Sequence, residues 1–171
     1  MILKKILKVI DSISEYSGRI FSWACVALIL ILSYETMMRY VFDAPTVWAH
    51  LVGVMLGGTI IFMGWGYVHL HQGHLRIDVI YVKLSPTKRA VIDVVFCLLF
   101  LFPLLYVMLD TSISWAVKSW VTGEVRIESW WYPPAAPFRT IMVVGIFIFV
   151  LQAFAQFFRD AYLLIRKKPY D

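Results

Sequence analysis

Four long apolar stretches, at residues 20–40, 47–70, 90–117 and 140–158, constrain this chain more than any other feature. The hydrocarbon layer of a bilayer is about 30 Å thick and takes roughly 20 helical residues to cross, so each stretch is long enough to span it. Backbone polar groups in lipid must be satisfied within the structure, which leaves helices or closed barrels, and the alternation of barrel strands is absent. The expected fold is therefore all-α, an integral membrane bundle of four transmembrane helices forming a single membrane domain over residues 1–171. With 61% hydrophobic residues, 16% charged and a mean hydropathy of +0.76, the chain holds more apolar surface than a soluble core of 171 residues can hide.

Basic residues set the orientation. Lys4, Lys5, Lys8 and Arg19 precede the first span, Arg76, Lys83, Lys88 and Arg89 separate the second from the third, and Arg159, Arg166, Lys167 and Lys168 follow the fourth. Of the 16 Lys and Arg, only Arg39, Lys118, Arg126 and Arg139 fall on the other side. The positive-inside rule then places both termini in the cytoplasm, and an even number of spans agrees with their lying on one side. The net charge of +5 is spread between apolar runs and forms no continuous basic face, which points to membrane lipids and not to nucleic acid.

The first residues do not read as a cleavable signal, because Asp11, Ser12, Ser14 and Glu15 interrupt any short apolar core. Ile2, Ile6, Val9, Ile10 and Ile13 recur at helical spacing opposite Lys4, Lys5, Lys8, Asp11 and Glu15, so residues 1–18 are expected as an amphipathic interfacial helix on the inner leaflet. A second, short interfacial helix is expected between spans two and three. There an apolar-rich stretch at 79–84 is followed by Ser85 and Pro86, which suit the N-cap and first helical turn with which the third span begins.

The polar residues of this inner linker raise three readings. His69, His71, His74 and Asp78 are metal-ligand types, but no i, i+4 His pair or Cys partner defines a site, so no metal is expected. Arg76 and Asp78 also suit a structural ion pair at the turn, or a contact with another subunit. Elsewhere, Glu35 and Arg39 stand i, i+4 with the acid first and are expected to pair near the outer end of the first span. Asp93 and Asp110 fall near the two surfaces, so no charge is forced to the bilayer centre, where each would cost about 2.5 to 3.5 kcal/mol.

Gly53 and Gly57 have GxxxG spacing in the second span and predict close helix packing, within the chain or against a partner. Pro103 predicts a kink in the third span. Trp115, Trp120, Trp130, Trp131 and Tyr132 gather about an outer loop ending in Pro133, Pro134 and Pro137, as an interfacial aromatic belt or as a docking surface.

Catalysis finds little support. Cys25 and Cys97 both lie inside apolar runs, away from the surface position a disulfide-forming enzyme needs. His50, His69, His71 and His74 belong to the second span and the linker behind it, whereas a haem anchor needs histidines on facing helices. Nucleotide loops and nucleophile elbows are absent from the sequence. No catalytic residue and no cofactor is expected, although a redox-complex anchor and a self-sufficient small channel remain competing readings.

Arg39-Tyr40-Val41-Phe42 leaving the first span, Pro45 and Trp48 opening the second, and His74-x-Arg76-x-Asp78 beyond it resemble the small (Q-type) membrane subunit of tripartite ATP-independent periplasmic (TRAP) transporters. The similarity covers most of the chain and rests on the order and spacing of short motifs. It departs after Trp48, where the family pattern calls for an acidic residue and Ala49 and His50 stand instead. The resemblance implies a permease subunit of the bacterial inner membrane that braces a large, elevator-type membrane subunit. Sodium ions and a small organic acid would be bound by that large subunit, and a periplasmic binding protein would deliver the acid. Arg39, Trp48, Gly53, Gly57, His74, Arg76, Asp78 and Trp130 are then the candidate contacts with partner or lipid.

Overall fold

The computed structural model describes residues 2–71, 86–128 and 130–166. Their regular structure is helical: α1 (Ile2–Tyr40), α2 (Ala49–Leu70), α3 (Pro86–Phe96), α4 (Phe102–Thr122) and α5 (Ala136–Arg166), with a π-helical turn at Cys97–Leu101 joining α3 to α4. Because α3, the π turn and α4 run on as one rod, the described residues contain four helices long and apolar enough to cross a membrane. The chain is thus an all-α, multi-pass membrane protein.

The N-terminal segment differs from its expectation as a separate surface helix. Residues 2–40 form one unbroken helix of 39 residues, about 58 Å long at 1.5 Å per residue. No proline interrupts it, and the face carrying Leu7, Ser14 and Ser17 is buried against the rest of the chain. At Gly18 a Cβ would fall 2.4 Å from Tyr67 of α2, so the missing side chain lets the two helices close where a break was expected. The second interfacial helix, expected between spans two and three, lies outside the described residues.

Pro103 acts on the third span as a change of helical pitch. A proline has no N–H to give to the carbonyl four residues back, and its ring crowds that carbonyl. The chain accommodates this one turn earlier, where the Phe102 N–H bonds to the Cys97 carbonyl in the wider π pattern.

The helices pack side by side more than around a common centre. α1 lies antiparallel along α2, α2 along α5, and α5 along α3 and α4, while α1 also meets α5 at the end carrying the termini. Leu105, Phe149 and Ala153 form the core, with Trp65, Leu101, Phe102 and Val150 packed on it. α2 and α5 are the inner helices. The chain buries 28% and 33% of their most apolar stretches, against 6% for α1 and 6% for the third span. Trp23, Leu30, Leu99 and Tyr106 on the outer helices are all more than 60% exposed, so lipid or another membrane chain must cover them.

Candidate functional site

Two polar clamps tie the ends of this slab together. At the terminal end, Asp11 of α1 receives two parallel hydrogen bonds from Arg159 of α5, at 2.5 Å and 3.2 Å, and a third from the Gln152 amide at 3.1 Å. Gln152 is fully buried and accepts the Ser14 hydroxyl proton at 2.8 Å. One turn on, Ser17 donates to the Met63 carbonyl of α2, and Glu15 is held between Arg19 at 2.6 Å and His71 at 2.7 Å. In a low-dielectric layer each such bond is costly to leave unmade. The cluster therefore fixes three helices at one level.

At the opposite end, Glu35 is 7% exposed and organises the turn between α1 and α2. It pairs with Arg39 at 2.7 Å, as the i, i+4 spacing predicts, and also accepts the Thr46 backbone N–H at 3.1 Å and the Thr46 hydroxyl. Trp48 stacks on Tyr34 with ring centroids 6.0 Å apart. Asp43 takes a positive φ of 49° in the tight reversal, a conformation that Asp tolerates better than most residues. Thr46→Val removes one donor from a nearly buried carboxylate and is expected to cost about 1 to 2 kcal/mol, read as a lower unfolding midpoint in detergent.

The connection from α4 to α5 is a small hairpin. Gly123, in the left-handed conformation at φ 62°, ends α4. The Arg126 N–H then bonds to the Pro133 carbonyl and the Ala135 N–H to the Glu124 carbonyl, both at 2.9 Å. Inside the hairpin Arg139 grips Glu124 with both terminal nitrogens at 2.7 Å and also reaches Ser119 at 2.6 Å. At the rim Arg126 pairs with Glu128 at 2.8 Å, and its hydrogen bonds hold the Glu128 carboxyl below the usual carboxylate range, so Glu128 stays charged at neutral pH.

The candidate contacts divide among these surroundings. Arg39 and Trp48 meet at the Glu35 turn, and Trp130 stands 82% exposed on the hairpin. Gly53 is buried against Leu28 and Leu32 of α1, but a Cβ on Gly57 would meet nothing within 4 Å. The glycine pair thus does not act as one motif inside the chain. Gly57, Gly64 and the exposed Val54, Ile61 and Val68 form an open face of α2 instead. His74, Arg76 and Asp78 lie outside the described residues. Among the described residues no group of three His, Cys, Asp or Glu converges to hold a metal ion.

Sequence reasoning missed Asp11–Arg159, Ser14–Gln152 and Glu124–Arg139. A signal for one of them was present: Gln152 sits in the middle of an apolar run, where an unpaired amide is expensive.

A family model described as "Tripartite ATP-independent periplasmic transporters, DctQ component" matches residues 28–162, from the second half of α1 almost to the end of α5. No curated protein matches the chain.

Proposed function

The chain belongs to the DctQ component family of tripartite ATP-independent periplasmic transporters, and on that premise we propose that it is the small permease subunit bracing a large, elevator-type membrane subunit. The complex would sit in the bacterial inner membrane with both termini of this chain in the cytoplasm. Sodium-coupled uptake of a small organic acid would then be the work of the large subunit, fed by a periplasmic binding protein, and this chain would need neither substrate site nor cofactor.

The observation that carries this reading is the open slab with polar clamps at both ends. An elevator domain that travels across the bilayer pushes back on its scaffold. A partner made of long helices, cross-linked to one another near both surfaces, resists the resulting tilt and widens the footing in lipid. The uncovered faces of α1 and the third span, and the small-residue face of α2, supply the contact area for such a neighbour.

Co-expression with a large multi-span subunit and purification through a tag on this chain tests the proposal. The large subunit is expected in roughly equal amount. Gly57→Leu is expected to leave unfolding of the isolated chain unchanged, because nothing lies near that Cβ, and to lower recovery of the large subunit severalfold. Replacing Arg76 and Asp78 by Ala should likewise weaken co-purification or uptake. Full recovery and transport with all three changes would count against the proposed contacts, and solute flux through this chain alone in liposomes would overturn the bracing role.

A further inference from the structure

A cleft of about 290 Å³ opens beneath the α4–α5 hairpin and is used by none of the contacts proposed above. Its rim is Arg126, Ile127 and Glu128, and its walls and floor include Trp115, Phe138 and Met142. Ser112, also on the floor, lies ten residues before the end of α4, about 15 Å down the helix. The cleft therefore runs from a charged rim at the level of the loop into the apolar layer. That gradient suits an amphiphile, head uppermost.

The rim has a specific charge pattern. Arg139 and Glu124 neutralise each other deeper in the wall and hold the hairpin shut. Arg126 and Glu128 also pair, at 2.8 Å, but two residues apart on an irregular segment where the Glu128 side chain is 52% exposed, against 37% for Glu124, so this is the pair a headgroup can reach and part. The Arg126 guanidinium sits 5.6 Å above the Phe138 ring, which keeps its charge directed over the cleft. On the far side of Glu128, Trp130 and Tyr132 shape a second shallow groove. One cation and one anion side by side over an apolar floor match a headgroup carrying both signs.

We propose that this cleft binds a phospholipid whose headgroup joins a phosphate to a primary ammonium, with the phosphate on Arg126 and the ammonium on Glu128. An arginine fork recognises phosphate oxygens, and a carboxylate accepts from an ammonium. A headgroup ending in glycerol leaves Glu128 without a cation, and one ending in trimethylammonium has no N–H to donate. Inorganic phosphate meets the Glu128 charge and gains nothing from the apolar floor. At about 290 Å³ the site is at the small end for a ligand pocket and holds the head and the first part of the chains.

Native mass spectrometry of the full chain in mild detergent, given equal amounts of dioleoyl-phosphatidylethanolamine and dioleoyl-phosphatidylglycerol, tests the site. The wild-type chain is expected to retain the ethanolamine lipid about tenfold over the glycerol lipid, the value of one charge-assisted hydrogen bond. Glu128→Gln should retain lipid but lose or invert that preference, whereas Arg126→Gln should lose both adducts. Glycerophosphoethanolamine should compete weakly and inorganic phosphate not at all. Equal retention of the two lipids by the wild-type chain overturns the proposal. So does an unchanged preference in Glu128→Gln, or displacement by inorganic phosphate, which would identify a plain anion site. A peptide of the periplasmic partner that displaces the lipid would assign the cleft to protein docking and overturn it as well. Thermal unfolding controls for folding, and should Arg126→Gln fail to fold, the preference of Glu128→Gln decides alone.

Discussion

Gly145→Leu is expected to prevent the chain from assembling its central helix pair, lowering stability by about 3 kcal/mol or more. A Cβ at Gly145 would lie 2.6 Å from the Phe62 carbonyl oxygen and 2.7 Å from its carbon. Both are backbone atoms of α2, so no rotamer change relieves the contact, and α5 must move away bodily. That movement would open the packing of Trp65 on Phe149, whose rings lie 5.7 Å apart, and with it the core around Leu105. Size-exclusion profile and thermal midpoint in detergent report the effect. Gly145→Ala should show it in weaker form, and Gly57→Leu, on the open face of α2, should not show it. A stable, monodisperse Gly145→Leu chain would mean that α2 and α5 do not approach as closely as described.

The contrast between these glycines marks how far the sequence could be read. Spacing singles out Gly53 and Gly57, yet the tightest backbone contact falls on Gly145, whose neighbours four positions away, Ile141 and Phe149, are both large. Close approach depends on what stands opposite, and nothing in one helix's sequence states that. The four spans were legible because lipid forces each to satisfy its own backbone and to show apolar side chains all round. The Glu35–Arg39 pair was legible for a related reason, since i, i+4 neighbours meet on any helix. Thr46 as a further donor to Glu35 was not, because it arrives from beyond the turn. Pro103 announced a disturbance but not its form, a π turn set one turn earlier. At residues 1–18 the amphipathic pattern was real, yet the same pattern serves a surface helix or the end of a long one. Partners on α2 and α5 decide between the two, and those lie up to 148 residues away.

Arg159→Ala is expected to release the terminal end of α1, because it strips Asp11 of two hydrogen bonds and of its compensating charge. The Asp11 and Arg159 side chains are 25% and 16% exposed, so water screens the pair only in part. Losing one partner of such a pair costs about 3 kcal/mol, most of it the penalty of leaving the other charge unpaired. Arg159→Lys should recover only part of this, since a single ammonium cannot reproduce the two parallel bonds. The sharper test is a double-mutant cycle. With Asp11→Asn and Arg159→Gln combined, neither charge remains, and Gln152 and Ser14 can still bridge the helices. The pair of changes should therefore cost less than the sum of the two singles by about 1 to 3 kcal/mol. Hydrogen exchange should locate the loss in residues 2–14 of α1, with α2 protected as in the wild-type chain. Additive changes, or faster exchange spread over the whole chain, would show that Asp11 and Arg159 do not hold α1 against α5, and the terminal clamp would then have to be sought in Glu15, Arg19 and His71.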